Sequence, residues 1–182
     1  YQQMMFEAAE LQYNKQHHQI NLTQQDKEYA KEFLKQNNID PEKLIGIHIG
    51  ASSRWPSKKW HKENLKEFIQ KANQKGYEIL LFAGPNETQE HEELFNELND
   101  KTKIYKNNPN NTIRQFISLV SLCKKMICSD SLALHISIAL KKPTIGLFFC
   151  TSPDEVEDYG LLKKITSPKL HDFFPEKMDQ YS

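Results

Sequence analysis

MICSDSLALHISIALKKPTIGLFF, residues 126–149, is the stretch from which the rest of the chain can be read. Met126-Ile127-Cys128 reads as a buried strand, Ser129-Asp130-Ser131 as a polar turn, and Leu132–Leu140 as a helix apolar on nearly every face. Thr144–Phe149, short, apolar and partly β-branched, reads as a second strand covered on both sides. Lys141-Lys142-Pro143 ends the helix, because proline lacks an amide donor and disfavours helical dihedrals in the residue before it. A strand, a helix and a strand in so short a span make a parallel crossover unit. Asp130 and Ser131 then fall at the carboxyl end of a strand and the start of a helix. Ligands bind there in open α/β sheets, partly because free helix amides point outward.

Upstream, the same grammar repeats. Leu44–Ile49 and Tyr77–Phe82 read as buried strands, Lys103–Tyr105 and Leu161–Ile165 as shorter ones. Between them lie a helix from about Lys62 to Lys75 stopped by Gly76, a polar amphipathic helix ending near Leu98, and a helix capped by Thr112 and running to Cys123. Strands alternating with helices imply an α/β domain, Rossmann-like and three-layered, with a mostly parallel sheet over residues 41–165. Residues 1–40 read as a helical lead-in. In it, Tyr1–Tyr13 is expected to turn Met4, Met5, Phe6, Ala8 and Leu11 inward, and Thr23 with Asp26 caps a helix from Gln24 to Gln36. His17-His18 reads as solvated loop, since adjacent histidines on a regular element cannot face one metal. Residues 166–182 read as a tail that needs something else to pack on.

The composition narrows the function classes. Over 182 residues, 24 Lys plus Arg balance 24 Asp plus Glu, which argues against a nucleic-acid or membrane-surface protein driven by bulk charge. No apolar run approaches the ~18 residues of a transmembrane helix, and no signal peptide is visible. Cys123, Cys128 and Cys150 lack paired metal spacing and read as buried thiols of a reduced compartment. The chain begins at Tyr1 and reads as a piece of something longer.

Three loops leave the carboxyl ends of parallel strands and share one rim. Gly50–Lys59 offers small residues for close backbone approach, the hydroxyls of Ser52 and Ser53, and the cations Arg54, Lys58 and Lys59. That is the outfit of a phosphate cradle without Walker spacing; an ordinary basic surface loop is the other reading. Ala83–Glu87 ends in a carboxylate that either caps the next helix or accepts two sugar hydroxyls. Ser129–Ser131 brings Asp130 and Ser131, with His135 one helical turn on; capping and a satisfied core histidine are the plain alternatives. No HExxH, paired CxxC, GxSxG, DxD or GxGxxG occurs, so no catalytic metal is indicated.

Taken in order, HIGASSRWPSKKW (48–60), LLFAGPNE (80–87), SDSLALHISIALKKPTIGLF (129–148) and TSPDEVEDYG (151–160) resemble the carboxyl-terminal half of family 9 glycosyltransferases, the ADP-heptose:lipopolysaccharide heptosyltransferases and their relatives. The resemblance implies one half of a GT-B fold, the half that binds the nucleotide diphosphate-sugar donor, ADP-heptose by preference. It implies that Ser52, Ser53 and Lys58 hold the diphosphate, Glu87 the ribose, and Asp130, Ser131 and His135 the phosphate and sugar end. The implied reaction is inverting transfer without a metal or other cofactor, in lipopolysaccharide biosynthesis. It places the protein in the cytoplasm, with a peripheral position at the inner membrane face. The glycan acceptor and the aspartate taken as general base belong to the family's amino-terminal domain, for which this chain has no room. Two positions depart from the family pattern: Leu132 stands where the Asp-Ser/Thr-Gly turn has glycine, and Phe149 replaces another glycine. They keep open the alternative of a non-catalytic nucleotide-binding or interaction module that retained the fold.

Overall fold

The computed structural model describes residues 2–50 and 56–170. Helix α1 (Gln2–Ala8) and helix α2 (Gln24–Asn37) precede strand β1 (Leu44–His48). Helix α3 (Lys62–Gln74), strand β2 (Glu78–Phe82), helix α4 (Thr88–Leu98) and strand β3 (Ile104–Lys106) follow. Helix α5 (Ile113–Leu122), strand β4 (Lys125–Ser129), helix α6 (Leu132–Ala139), strand β5 (Thr144–Phe148) and strand β6 (Leu162–Thr166) complete the domain. The six strands form one sheet in the order β3-β2-β1-β4-β5-β6, and every pairing is parallel. This is the doubly wound α/β architecture expected from the alternating pattern, with its topological switch between β1 and β4.

Strand alternation divides the core in two. Ile45, Ile47, Ile79, Leu81 and Ile127 face α3 and α4, packing on Leu65, Ile69, Leu94 and Leu98. Their neighbours Leu44, Leu80, Phe82 and Met126 face the other way, onto Ile117 and Val120 of α5, Ile136 of α6 and the Phe33 side of α2. Gly46 lets this second layer close down, because a Cβ there would come within 2.7 Å of Cys123 Sγ and 2.9 Å of the Phe82 ring. Capping boxes fix two helix starts: Thr23 with Asp26 for α2, and Thr112 with Gln115 for α5. Gly76 adopts φ 83° after α3, as its stop position requires.

Several expectations are corrected. Helix α1 is only seven residues long and buries none of its side chains. Met4, Met5 and Leu11 are 69, 58 and 60 % exposed, because the segment folds back on itself instead of onto the sheet. Leu11 N–H donates to the Phe6 carbonyl, Glu10 takes a left-handed φ of 56°, and Phe6 packs on Tyr13. His17 is half-buried rather than solvated, its ring 4.5 Å from that of Tyr159. Cys123 and Cys128 are buried, whereas Cys150 is half-exposed. Of the tail from residue 166, the described part ends at Leu170, which is buried.

Candidate functional site

A cavity of about 410 Å³ lies beside the switch point, lined by the loops that leave the carboxyl ends of β1, β2 and β4. All three loops singled out in the sequence reach it. Lys58 ends the 3-10 turn Pro56–Lys58, Glu87 ends the turn Pro85–Glu87, and Asp130 and Ser131 form the β4–α6 turn. Each borders the cavity. His135 lies one turn into α6, exposed, and is not among the described residues that border it. Ser52 and Ser53 lie outside the described residues.

Lys58 Nζ donates to Asp130 Oδ2 at 2.7 Å and approaches the Asp130 carbonyl at 3.3 Å. Both side chains are largely withdrawn from solvent, at 15 and 20 % exposure, so the pair is only weakly screened. Asp130 therefore does not cap α6; its charge is spent on Lys58. The N-cap is Ser131, whose side chain makes no capping bond and whose Oγ is buried without a partner among the described residues. An unsatisfied hydroxyl beside free first-turn amides can donate hydrogen bonds to an anionic oxygen. Glu87 is buried, and its Oε2 accepts the Gly84 N–H at 3.1 Å, which fixes the carboxylate at the cavity wall. It braces its own turn, and its side chain accepts no capping hydrogen bond from α4.

Sequence reasoning missed His48, which ends β1 on the cavity floor. Its ring meets Phe116 edge-on at 5.9 Å, and burial pushes its pKa down to about 4, so it is neutral at pH 7. Its Nδ1 is buried without a hydrogen-bond partner among the described residues. The signal was present: a lone imidazole closing an otherwise apolar, doubly covered strand. Gly50 must be glycine for this packing, since a Cβ would stand 2.7 Å from His48 Cε1 and 3.1 Å from Glu87 Oε2.

A second cavity of about 280 Å³ adjoins the first and shares His48, Gly84 and Leu132 with it. Its walls are largely apolar, with Pro85, Pro109, Ile113 and Phe116, and its two asparagines are already engaged. Asn107 bonds the Ala83 backbone in both directions, at 3.0 and 3.1 Å, and Asn111 donates to Tyr29 Oη at 2.8 Å. A charged hollow joined to an apolar one suits a ligand with an anionic part and a flat organic part.

The family model for glycosyltransferase family 9 (heptosyltransferase) matches residues 1–175. The chain belongs to this family. Lipopolysaccharide heptosyltransferase 2 of Salmonella typhimurium is 27 % identical over 113 residues, which cover 61 % of this chain and 32 % of the relative. The chain thus spans about a third of that protein's length. A family 9 glycosyltransferase of Veillonella parvula superposes with a TM-score of 0.74 at 20 % identity, covering 89 % of this chain and 46 % of that one. An Escherichia coli heptosyltransferase solved with ADP superposes with a TM-score of 0.61 at 18 % identity, covering 84 and 47 %. The family 9 domain is accordingly an α/β, GT-B-type fold. Among its described residues no helix is long and apolar enough to cross a membrane.

Proposed function

We propose that this chain is the donor-binding half of an inverting GT-B glycosyltransferase of the heptosyltransferase type, with ADP-heptose as its favoured donor. The observation that carries the reading is the paired cavity at the β1–β4 switch point, charged on one side and apolar on the other. The diphosphate lies against Lys58, the Ser131 hydroxyl and the first amides of α6, and Glu87 accepts the ribose hydroxyls. The base enters the apolar hollow. Ser52 and Ser53 add hydroxyls to the diphosphate, and His135 faces the sugar end. Family membership and the ADP-bound relative support this assignment.

In the proposed reaction an acceptor hydroxyl oxygen forms a bond to the anomeric carbon from the face opposite the leaving group. The bond from that carbon to the diphosphate oxygen breaks, inverting the configuration. Charge develops on the departing diphosphate, where Lys58 and the α6 amides can stabilise it without a metal ion or another cofactor. The hydroxyl proton passes to a general base. As the family resemblance implies, we assign that base, and the contacts to the lipopolysaccharide or other glycan acceptor, to the family's amino-terminal domain. We place the reaction in the cytoplasm, at the inner face of the membrane where such an acceptor is reached.

Calorimetric titration with ADP, GDP, UDP and ADP-heptose tests the reading. ADP binds most tightly of the three nucleotides, and Lys58→Ala and Glu87→Ala each weaken it. Binding that neither substitution disturbs places the donor elsewhere and overturns the assignment.

A further inference from the structure

Two aliphatic side chains at the mouth of the apolar cavity are left in water. Leu132 is 62 % exposed and Ile113 is 51 % exposed. Each is the first residue of a helix, Leu132 of α6 and Ile113 of α5, and both border the same 280 Å³ hollow. Pro109 and Phe116 line the same hollow, so the two belong to one apolar lining rather than standing as scattered single residues. Helix α6 underlines the contrast, because its other aliphatic side chains are buried. Leu132 alone of the pair also borders the charged cavity, so it stands where the two hollows join.

Apart from His48 at its junction with the charged cavity, the hollow offers little side-chain hydrogen bonding. Asn107 is spent on Ala83 and Asn111 on Tyr29, so a flat group entering between these walls gains chiefly from contact area. We infer that Leu132, together with Ile113, is an aliphatic clamp on the donor's base, setting nucleoside affinity through apolar contact. The inference rests on the donor-site reading above. It assigns Leu132 a gain in binding, where a bare loss of room at a glycine position would predict obstruction. It also sets a size rule: a purine, covering more of both side chains, depends on the clamp more than a pyrimidine does.

Titration of this 182-residue chain with ADP, GDP, UDP and inorganic pyrophosphate tests the clamp. Leu132→Ala is expected to weaken ADP and GDP by about tenfold, UDP by less, and pyrophosphate by less than about twofold. Leu132→Met, which restores a flexible apolar side chain, stays within about threefold of wild type, and Ile113→Ala repeats the Leu132→Ala pattern. Leu132→Ala binding ADP as tightly as wild type, or more tightly, overturns the clamp alone. Equal weakening of ADP and pyrophosphate does the same, since it reports a change in the α6 amides instead. Wild-type protein that binds neither nucleotides nor pyrophosphate overturns the donor-site reading and the clamp with it.

Discussion

Lys58 and Asp130, 72 residues apart in the chain, meet at 2.7 Å across the carboxyl ends of β1 and β4. The contact ties the 3-10 turn Pro56–Lys58 to the β4–α6 turn and holds the ammonium at the cavity wall before any anion arrives. Removing the lysine therefore does two things, whereas removing the aspartate does one. Lys58→Met is expected to weaken nucleotide diphosphate binding by about tenfold or more and to leave Asp130 unpaired, lowering stability by about 1–2 kcal/mol. Asp130→Asn keeps a hydrogen-bond acceptor for Lys58 and is expected to cost less stability. Urea unfolding of the two variants, beside titration with ADP, separates the effects.

Gly50 and Gly46 make opposite predictions about where damage appears. Gly50→Ala pushes a Cβ onto the His48 ring and Glu87 Oε2, so nucleotide affinity falls by more than thermal stability does. Gly46→Ala drives a Cβ into Met126, Cys123 and Phe82 far below the rim. Overpacking of that kind costs about 1–3 kcal/mol, a fall in Tm of several degrees for a domain of this size. Calorimetric melting and ligand titration of both variants check the division.

Stability should rise with pH between about 4 and 6.5. His48 is held neutral by burial, its folded pKa about 4 against an ordinary value of 6.5, so the unfolded chain binds the extra proton in that window. The stabilisation is complete above the unfolded pKa and is lost as pH falls toward the folded one. His91, also pushed down by burial, adds to the same slope. His48→Gln should flatten the dependence in part, and urea midpoints measured at pH 4.5, 5.5 and 7 would reveal it; an unchanged slope refutes the assignment.

Thiol reactivity should be ordered by burial. Cys150 is half-exposed and accepts the Ser57 hydroxyl at 3.2 Å, while burial raises the Cys123 pKa to about 12 and that of Cys128 further. One equivalent of an alkylating reagent is expected to react in the folded protein, at Cys150, and the other two only after unfolding. Mass spectrometry of native and urea-treated samples counts them.

Much of this was legible from residue order. Apart from α1, the strands and helices fall within a residue or two of the apolar runs that announced them, and the capping boxes at Thr23 and Thr112 form as their spacing requires. The rim loops carrying Lys58, Glu87, Asp130 and Ser131 come together for a simple reason: parallel strands send every carboxyl end to one side of the sheet. Helix α1 was misread because its apolar spacing says which face could be buried, not whether any surface lies opposite it. The exposure of Leu132 was not legible for the converse reason. An all-apolar helix belongs in the core, but its first residue can still look out over a cavity.

By itself the sequence determined what is local. Periodicity, caps, stops and the kinds of side chain on each loop depend on neighbours a few residues away, and they specify an α/β domain with an anion-suited rim. Only the tertiary structure decided the strand order β3-β2-β1-β4-β5-β6, and with it the cavity beside the β1–β4 switch point. It also decided that Lys58 would be spent on Asp130, that His48 would lie neutral beneath them, and that Leu132 would stand between two hollows. These are contacts between distant segments. They arise from how the faces of one sheet are covered, and no short window of sequence records that packing.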